Sequence, residues 1–288
     1  MKYACIDRNH DQYSIQLMCR VLGVSRSGYY ASKVRPESAR SKRDREILPE
    51  IKRVHTQSKG VYGSPRIKAE LDDEGLKVGR HKIAKLMRIE RIRGIPKRNY
   101  RVTTQRDNRH RIERDQLKQD FSAEKPNERW VADMTSVSTK QGWLYLAVIV
   151  DLYSRKVVGW SMSRRMNRRC VIAALRMAVA AREPAAGLIH HSDRGAQYTS
   201  DDFRDELEKH KIECSMGGIG SCYDNAVAES FFSLLKRERT NRTRYKTREE
   251  ARADIFDYIE VFYNRKRRHG YNDNVSPTDF DELSGGSL

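Results

Sequence analysis

Trp130-Val131-Ala132-Asp133-Met134-Thr135-Ser136-Val137 sets a carboxylate in the middle of an apolar run. Trp, Val and Thr suit a pleated, half-buried surface, so 130–137 is expected to be a strand. An aspartate inside such a strand costs free energy unless it is paired, hydrogen-bonded or bound to a cation. The next stretch, 144–152, is almost continuously apolar, and 156–163 reads as a third strand. Lys140-Gln141-Gly142 and Tyr153-Ser154-Arg155 serve as short turns between the three, which implies an antiparallel meander.

Downstream the pattern alternates. An Ala-rich helix over 170–181 stops at Pro184, followed by a strand at 188–191, a helix at 200–210 and a strand at 212–216. A glycine-rich loop, 217–220, precedes helices over 224–239 and 247–265. Three strands, a helix, then strand–helix–strand–helix predicts an α/β fold with a mixed five-stranded sheet flanked by helices.

Two further acids stand at the junctions of these elements. Asp193 lies just past the fourth strand, in His190-His191-Ser192-Asp193-Arg194-Gly195, and Glu229 lies in the helix that opens Asp224-Asn225-Ala226. Carboxylates that converge from several elements suit hard divalent cations, which take oxygen ligands. The 35-residue interval between Asp193 and Glu229 adds little, because a chain with 20 Asp and 19 Glu supplies about one such pair by chance. Context carries more weight. Asn225, Glu229, Ser233 and Lys236 form one polar stripe and Ala228, Phe232 and Leu235 an apolar one, although an isolated helix of this kind equally fits an ordinary charged face.

The N-terminal part differs in charge. Of the 57 Lys+Arg and 39 Asp+Glu, residues 1–118 hold 30 and 14, a net of +16; the rest of the chain nets only +2. That asymmetry favours a polyanionic partner, nucleic acid first, for the first part. Ile15, Met18 and Leu22, broken by Gly23, with Ser25 as a cap, predict two short helices around a tight turn between 13 and 30. A second pair follows. Gly63-Ser64-Pro65 supplies a cap and a first-turn proline for a helix through Ile67 and Leu71 to Gly75. Ile83, Leu86 and Met87 mark the next helix, whose other face carries Arg80, Lys82, Lys85 and Arg88. Residues 91–128 are polar and basic, like an extended linker. Five scattered cysteines without a C-x-x-C pair argue against a disulfide framework or a structural zinc, and no run approaches 18 apolar residues.

Several ordered motifs raise the reading to a family. Trp130 to Thr135, Asp151-Leu152-Tyr153-Ser154-Arg155, His191 to Tyr198 and Cys222 to Phe231 resemble bacterial insertion-sequence transposases of the DD(35)E class, second reading frame (orfB) type. Tyr62 to Ile67 is similar to their helix-turn-helix segment. Tyr263-Asn264, Arg267-Arg268-His269 and Ser276-Pro277 are similar to their C-terminal signature. The resemblance implies an RNase H-like, retroviral-integrase-like core. Asp133, Asp193 and Glu229 would be its catalytic and metal-binding triad, with two Mg²⁺ ions that Mn²⁺ can replace. His191 and Asn225 are expected around the triad, and Arg66, Lys82, Lys85 and Lys236 at the DNA.

The same resemblance implies double-stranded DNA as partner, both the terminal inverted repeats of the element and target DNA. It also implies a homo-oligomer of two or more on paired ends, an upstream-frame DNA-binding protein or domain, no membrane, and a bacterial cytoplasmic, nucleoid-associated location. The expected segments are 1–60 (helical, helix-turn-helix-like), 61–100 (helix-turn-helix), 101–127 (basic linker), 128–240 (catalytic core) and 241–288 (helical extension). The chain departs from the pattern in the loop Gly217-Gly218-Ile219-Gly220-Ser221, where a basic residue and an asparagine are usual. Two other classes share parts of this pattern: a metal-dependent nuclease that only cuts, and a non-catalytic DNA-binding regulator, which would need no acid in a strand.

Overall fold

Short amphipathic helices open the chain, each stopped by the residue chemistry at its ends. A computed structural model describes residues 2–34, 36–96, 120–217 and 225–285, and divides the chain into the units Met1–Arg53 and Val54–Leu288. In the first unit, α1 (Lys2–Asn9), α2 (Ile15–Leu22) and α3 (Arg26–Val34) enclose Ile6, Met18, Cys19 and Tyr29. Ser14 Oγ accepts from Leu17 N to start α2, and Gly23, at φ 60°, ends it in the left-handed conformation that glycine adopts without strain. Ser25 Oγ caps α3 by accepting from Gly28 N at 3.0 Å. The basic stretch continues as α4 (Ala39–Gln57).

The second unit holds both the other helix pair and the sheet. Helices α5 (Ser64–Asp73) and α6 (Arg80–Ile89) bury Ile67, Leu71, Ile83, Leu86 and Met87. Gly63 rather than Ser64 is the N-cap of α5, with Pro65 in its first turn. Arg268, far along the chain, pairs with Glu70 and Asp73 on α5. The Tyr62 hydroxyl donates to Lys266 O (3.0 Å) and accepts from Arg268 N (2.9 Å). This helix pair is thus knit into the unit that carries the sheet. Most of the linker expected over 101–127 lies outside the described residues.

The meander forms as the alternation predicts: β1 (Arg129–Thr139), β2 (Gly142–Asp151) and β3 (Val157–Ser163) are antiparallel. After α7 (Arg168–Arg182), β4 (Ile189–Ser192) joins β1 in parallel. After α8 (Asp201–Lys209), β5 (Glu213–Met216) joins β4 in parallel, which gives the order β3-β2-β1-β4-β5. Trp130, Ala132, Ala147 and Ile149 face one side, packed with Val171, Leu175, Phe203 and Leu207 of α7 and α8. Gly159 lets α7 lie flush on β3, since a Cβ there would sit 2.3 Å from Ala174 O.

Side-chain alternation turns Val131, Asp133, Thr135 and Val137 to the opposite side. There α9 (Ala226–Leu235) and α10 (Arg248–Phe256) pack on β1 and β2. Neither helix ends as a regular α-helix: π-helical turns continue them over Lys236–Thr240 and Asp257–Tyr263, and α11 (Pro277–Gly285) closes the described chain.

The C-terminal segment seals the sheet. Asn264 makes a two-way amide contact with β3, Oδ1 accepting from Val157 N at 3.0 Å and Nδ2 donating to Val157 O at 2.9 Å. Met177 Sδ accepts from Trp160 N and Arg252 donates to Met162 O. Asp151, fully buried, accepts from Asn127 N and Tyr153 N, so the Asp151–Arg155 motif is the hydrogen-bonded turn of the meander.

Candidate active site

The parallel pairing of β1 with β4 sets Ala132 opposite Ser192, and Asp133 and Asp193 follow at adjoining positions. Both are half-buried. Asp133 Oδ1 accepts from Met134 N (2.7 Å) and Asp193 Oδ1 from Gly195 N (3.0 Å). A Cβ at Gly195 would stand 2.9 Å from that same Asp193 oxygen, so a side chain there would push the carboxylate aside. The third acid arrives on α9, whose start is clamped to the sheet: Asn225 Nδ2 donates to Ala132 O at 2.9 Å, one residue before Asp133. Glu229 N donates to Asn225 O (3.0 Å), so Glu229 stands one turn beyond the clamp. Ala228, Phe232 and Leu235 are buried as their stripe predicts.

The charges of both aspartates are felt at one buried ring. Burial foremost, then the charges of Asp133 and Asp193, raise the Tyr198 phenol well above its ordinary range. The tyrosine packs against His190 and Phe203 and is a core residue. His190 is buried, with neither ring nitrogen hydrogen-bonded among the described residues; burial, then His191, pushes its pKa down to about 3. It is a neutral packing group at physiological pH. His191 Nδ1 lies 2.9 Å from Ser215 Oγ on β5, so its ring is oriented by the neighbouring strand. Among the described residues, no three His, Cys, Asp or Glu side chains gather closely enough to hold a metal ion.

The basic residues divide. Lys85 is exposed and Lys82 half-exposed on α6, opposite its buried stripe, and Lys236 is half-exposed just past α9. Arg66 instead turns inward. It is half-buried, its guanidinium is 5.7 Å from the Tyr62 ring centroid, and burial followed by the Arg267 charge lowers its pKa. Residues 218–224, with most of the departing loop, Cys222 and Tyr223, lie outside the described residues. The four described cysteines are free thiols.

One pair escaped sequence reasoning. Glu238 and Arg267 meet bidentately (2.9 and 2.7 Å) with both side chains 1% exposed, and Tyr258 donates to the same carboxylate at 2.8 Å. The only signal was the Arg267-Arg268-His269 motif, whose role was legible as family signature and not as contact.

This sheet order, with neighbouring carboxylates on β1 and just past β4 and a clamped helix, coincides with three family models. Integrase core domain models match residues 123–222 and 229–284, and an HTH-like domain model matches 42–100. The fold is therefore an RNase H-like integrase core joined to an HTH-like segment, and the chain is an enzyme of the polynucleotidyl transferase class that binds DNA.

Relatives narrow the class further. The chain is 40% identical over 283 residues to transposase InsF for insertion sequence IS3A of Escherichia coli (strain K12), covering 98% of each. It is 43% identical over 265 residues to an insertion element IS600 uncharacterized 31 kDa protein of Shigella sonnei, covering 92% of this chain and 97% of that one. The chain belongs to the IS3 family of insertion-sequence transposases. A looser likeness, 16% identity and a TM-score of 0.43, joins it to an HTLV-2 integrase catalytic core domain in complex with magnesium, over 56% of this chain and 99% of that chain. No helix among the described residues is long and apolar enough to cross a membrane.

Proposed function

We propose that Asp133, Asp193 and Glu229 are the catalytic triad of this transposase and hold two Mg²⁺ ions, or Mn²⁺ in their place. The reading is carried by one juxtaposition: Asp133 within β1 and Asp193 just past the end of β4 are neighbours across paired parallel strands, and the Glu229 helix is hydrogen-bonded to the backbone next to Asp133. The donor set fits, since three carboxylates offer only hard oxygens. Bound there, the ions supply Lewis-acid stabilisation of the attacking and leaving oxygens of an in-line phosphoryl displacement.

In this scheme water first hydrolyses a phosphodiester at the element end and frees a 3′-OH. That hydroxyl then attacks a phosphodiester of target DNA, displacing one of its oxygens and joining the strands. No side-chain nucleophile is required, which agrees with a Tyr198 hydroxyl that is buried and far from ionising. The protein's own work is positioning: Gly195 N orients Asp193, Asn225 fixes the first turn of α9, and Lys236 extends the Glu229 face toward phosphate.

Lys82, Lys85 and the 101–127 linker are assigned to DNA, and Arg66 to support of that segment. The segments 1–60, 61–100, 101–127, 128–240 and 241–288 are proposed as the functional divisions. Two paired ends call for two or more copies of the chain, joined by an upstream-frame DNA-binding protein or domain, in the bacterial cytoplasm at the nucleoid. Asp133→Asn, Asp193→Asn and Glu229→Gln are each expected to abolish 3′-end cleavage of terminal-repeat DNA while gel-shift affinity stays within a few-fold. Cleavage retained in any of the three overturns the assignment, and absence of joined products in the unmodified protein leaves a nuclease.

A further inference from the structure

A basic groove lies at the far end of β1 from Asp133. Where β1 ends, Thr139 bridges Tyr245 and Lys140 N donates to Tyr245 O (3.0 Å), so the strand end and the 240–245 segment enclose a groove of about 580 Å³. Ser136, Ser138, Lys140, Trp143, Lys236 and Arg244 contribute to its walls, and among the described residues no acidic one does.

Trp143 is the anomaly. Trp130 is fully buried and Trp160 is half-buried with its Nε1 donating to Glu260, whereas Trp143 is 54% exposed. Its backbone is held, since Arg248 Nε donates to Trp143 O at 3.0 Å. A large indole displayed beside cations and hydroxyls has the composition of a base-stacking platform with a phosphate track. Two elements link the groove to the acids. Lys236 follows Glu229 by seven residues, hence on the same helix face and about 10 Å further along the axis. Residues 136–139 continue β1 from Asp133. Inside a duplex the base faces are covered by their neighbours, whereas each base of an unpaired strand can offer a face to the indole.

Resting on the triad reading above, we propose that this groove takes the unpaired strand flanking the reacting DNA end, one base stacked on Trp143 and its phosphates on Lys140 and Arg244. The test uses the full chain without added divalent metal and DNA ends that are either blunt or carry a short unpaired flank, with iododeoxyuridine placed along the flank. Ultraviolet crosslinking is expected to map to Trp143 from one flank position. Trp143→Ala should weaken binding of the flanked end about tenfold while leaving the blunt end within twofold, and Trp143→Phe should recover most of the loss.

Crosslinks that map outside the groove, an unchanged affinity, or equal losses on blunt and flanked DNA overturn the proposal. If Trp143→Ala does not fold, the crosslink in the unmodified chain decides. Failure of the triad reading appears separately, as cleavage surviving in Asp193→Asn, and the Trp143 crosslink does not depend on that outcome.

Discussion

Glu238→Gln keeps the shape of the side chain and removes its charge, which makes it the sharpest probe of how the Glu229 helix is anchored. Glu238 stands in the π-helical turn that continues α9, and Arg267 in the segment before α11; their bidentate contact is 1% exposed on both sides. Burial alone would push the Glu238 carboxyl up, but the Arg267 hydrogen bonds and charge outweigh it and hold the group below the usual carboxylate range. Neutralising it strands a buried guanidinium with no counter-charge, a loss that in other proteins runs to about 3–5 kcal/mol.

Glutamine still accepts one hydrogen bond, so the lower end, about 3 kcal/mol, is expected. In a unit of this size that lowers the melting temperature by about 6–12 °C. All three tryptophans lie in Val54–Leu288, so urea unfolding followed by tryptophan fluorescence reports that unit alone. The paired replacement Glu238→Leu with Arg267→Met should restore most of the loss, because an apolar pair carries no desolvation cost. The reasoning is refuted if Glu238→Gln stays within about 1 kcal/mol of the unmodified chain, or if the double variant is no more stable than the single one. The depressed carboxyl also sets a sign: the pair's stabilisation is present at neutral pH and is lost as pH falls through the folded-state pKa.

Two further outcomes are expected. Asn225→Ala removes the donor to Ala132 O, which should cost about 1 kcal/mol of stability and slow cleavage by roughly ten- to a hundredfold through misplacement of Glu229, with DNA affinity retained; an unchanged single-turnover rate would show that the clamp does not set the acid. Burial foremost holds His190 and His269 at pKa values of about 3. Because the unfolded chain binds those protons first, stability should be full above about pH 6.5 and fall by about 1.4 kcal/mol per pH unit for each histidine as pH drops toward 3. Urea midpoints at pH 7, 6 and 5 should fall less steeply in His190→Phe, and parallel slopes would contradict the assignment.

Much of the architecture was legible because its signals are local. The meander shows in β-branched alternation and three-residue turns, and Asp133 stands out since a charge inside an apolar strand needs a reason. Asp193 and Glu229 needed more, because an acid beside a loop is common and only the fold reveals that β4 pairs with β1. The C-terminal part was read as an appended helix for a similar reason. Asn264, Arg267 and Asn272 act on Val157, Glu238 and Ser154, contacts between 29 and 118 positions apart that no periodicity encodes. The π-helical turns are invisible for another reason: an α-helix and its π-continuation share almost the same apolar stripe. Arg66 was expected at DNA from the helix-turn-helix resemblance, which gave no hint that its guanidinium would lie over the ring of Tyr62.

Asn264 has a consequence for how copies of this chain can meet. An outer strand with free amides and carbonyls invites another extended chain to add to it, the usual route to sheet-to-sheet aggregation. Here the outer strand of the meander has its groups taken by Asn264, Met177 and Arg252, from three different parts of the chain. The opposite outer strand is only four residues long. The sheet thus leaves little template for strand addition, and any copies of this chain that meet would do so through other surfaces.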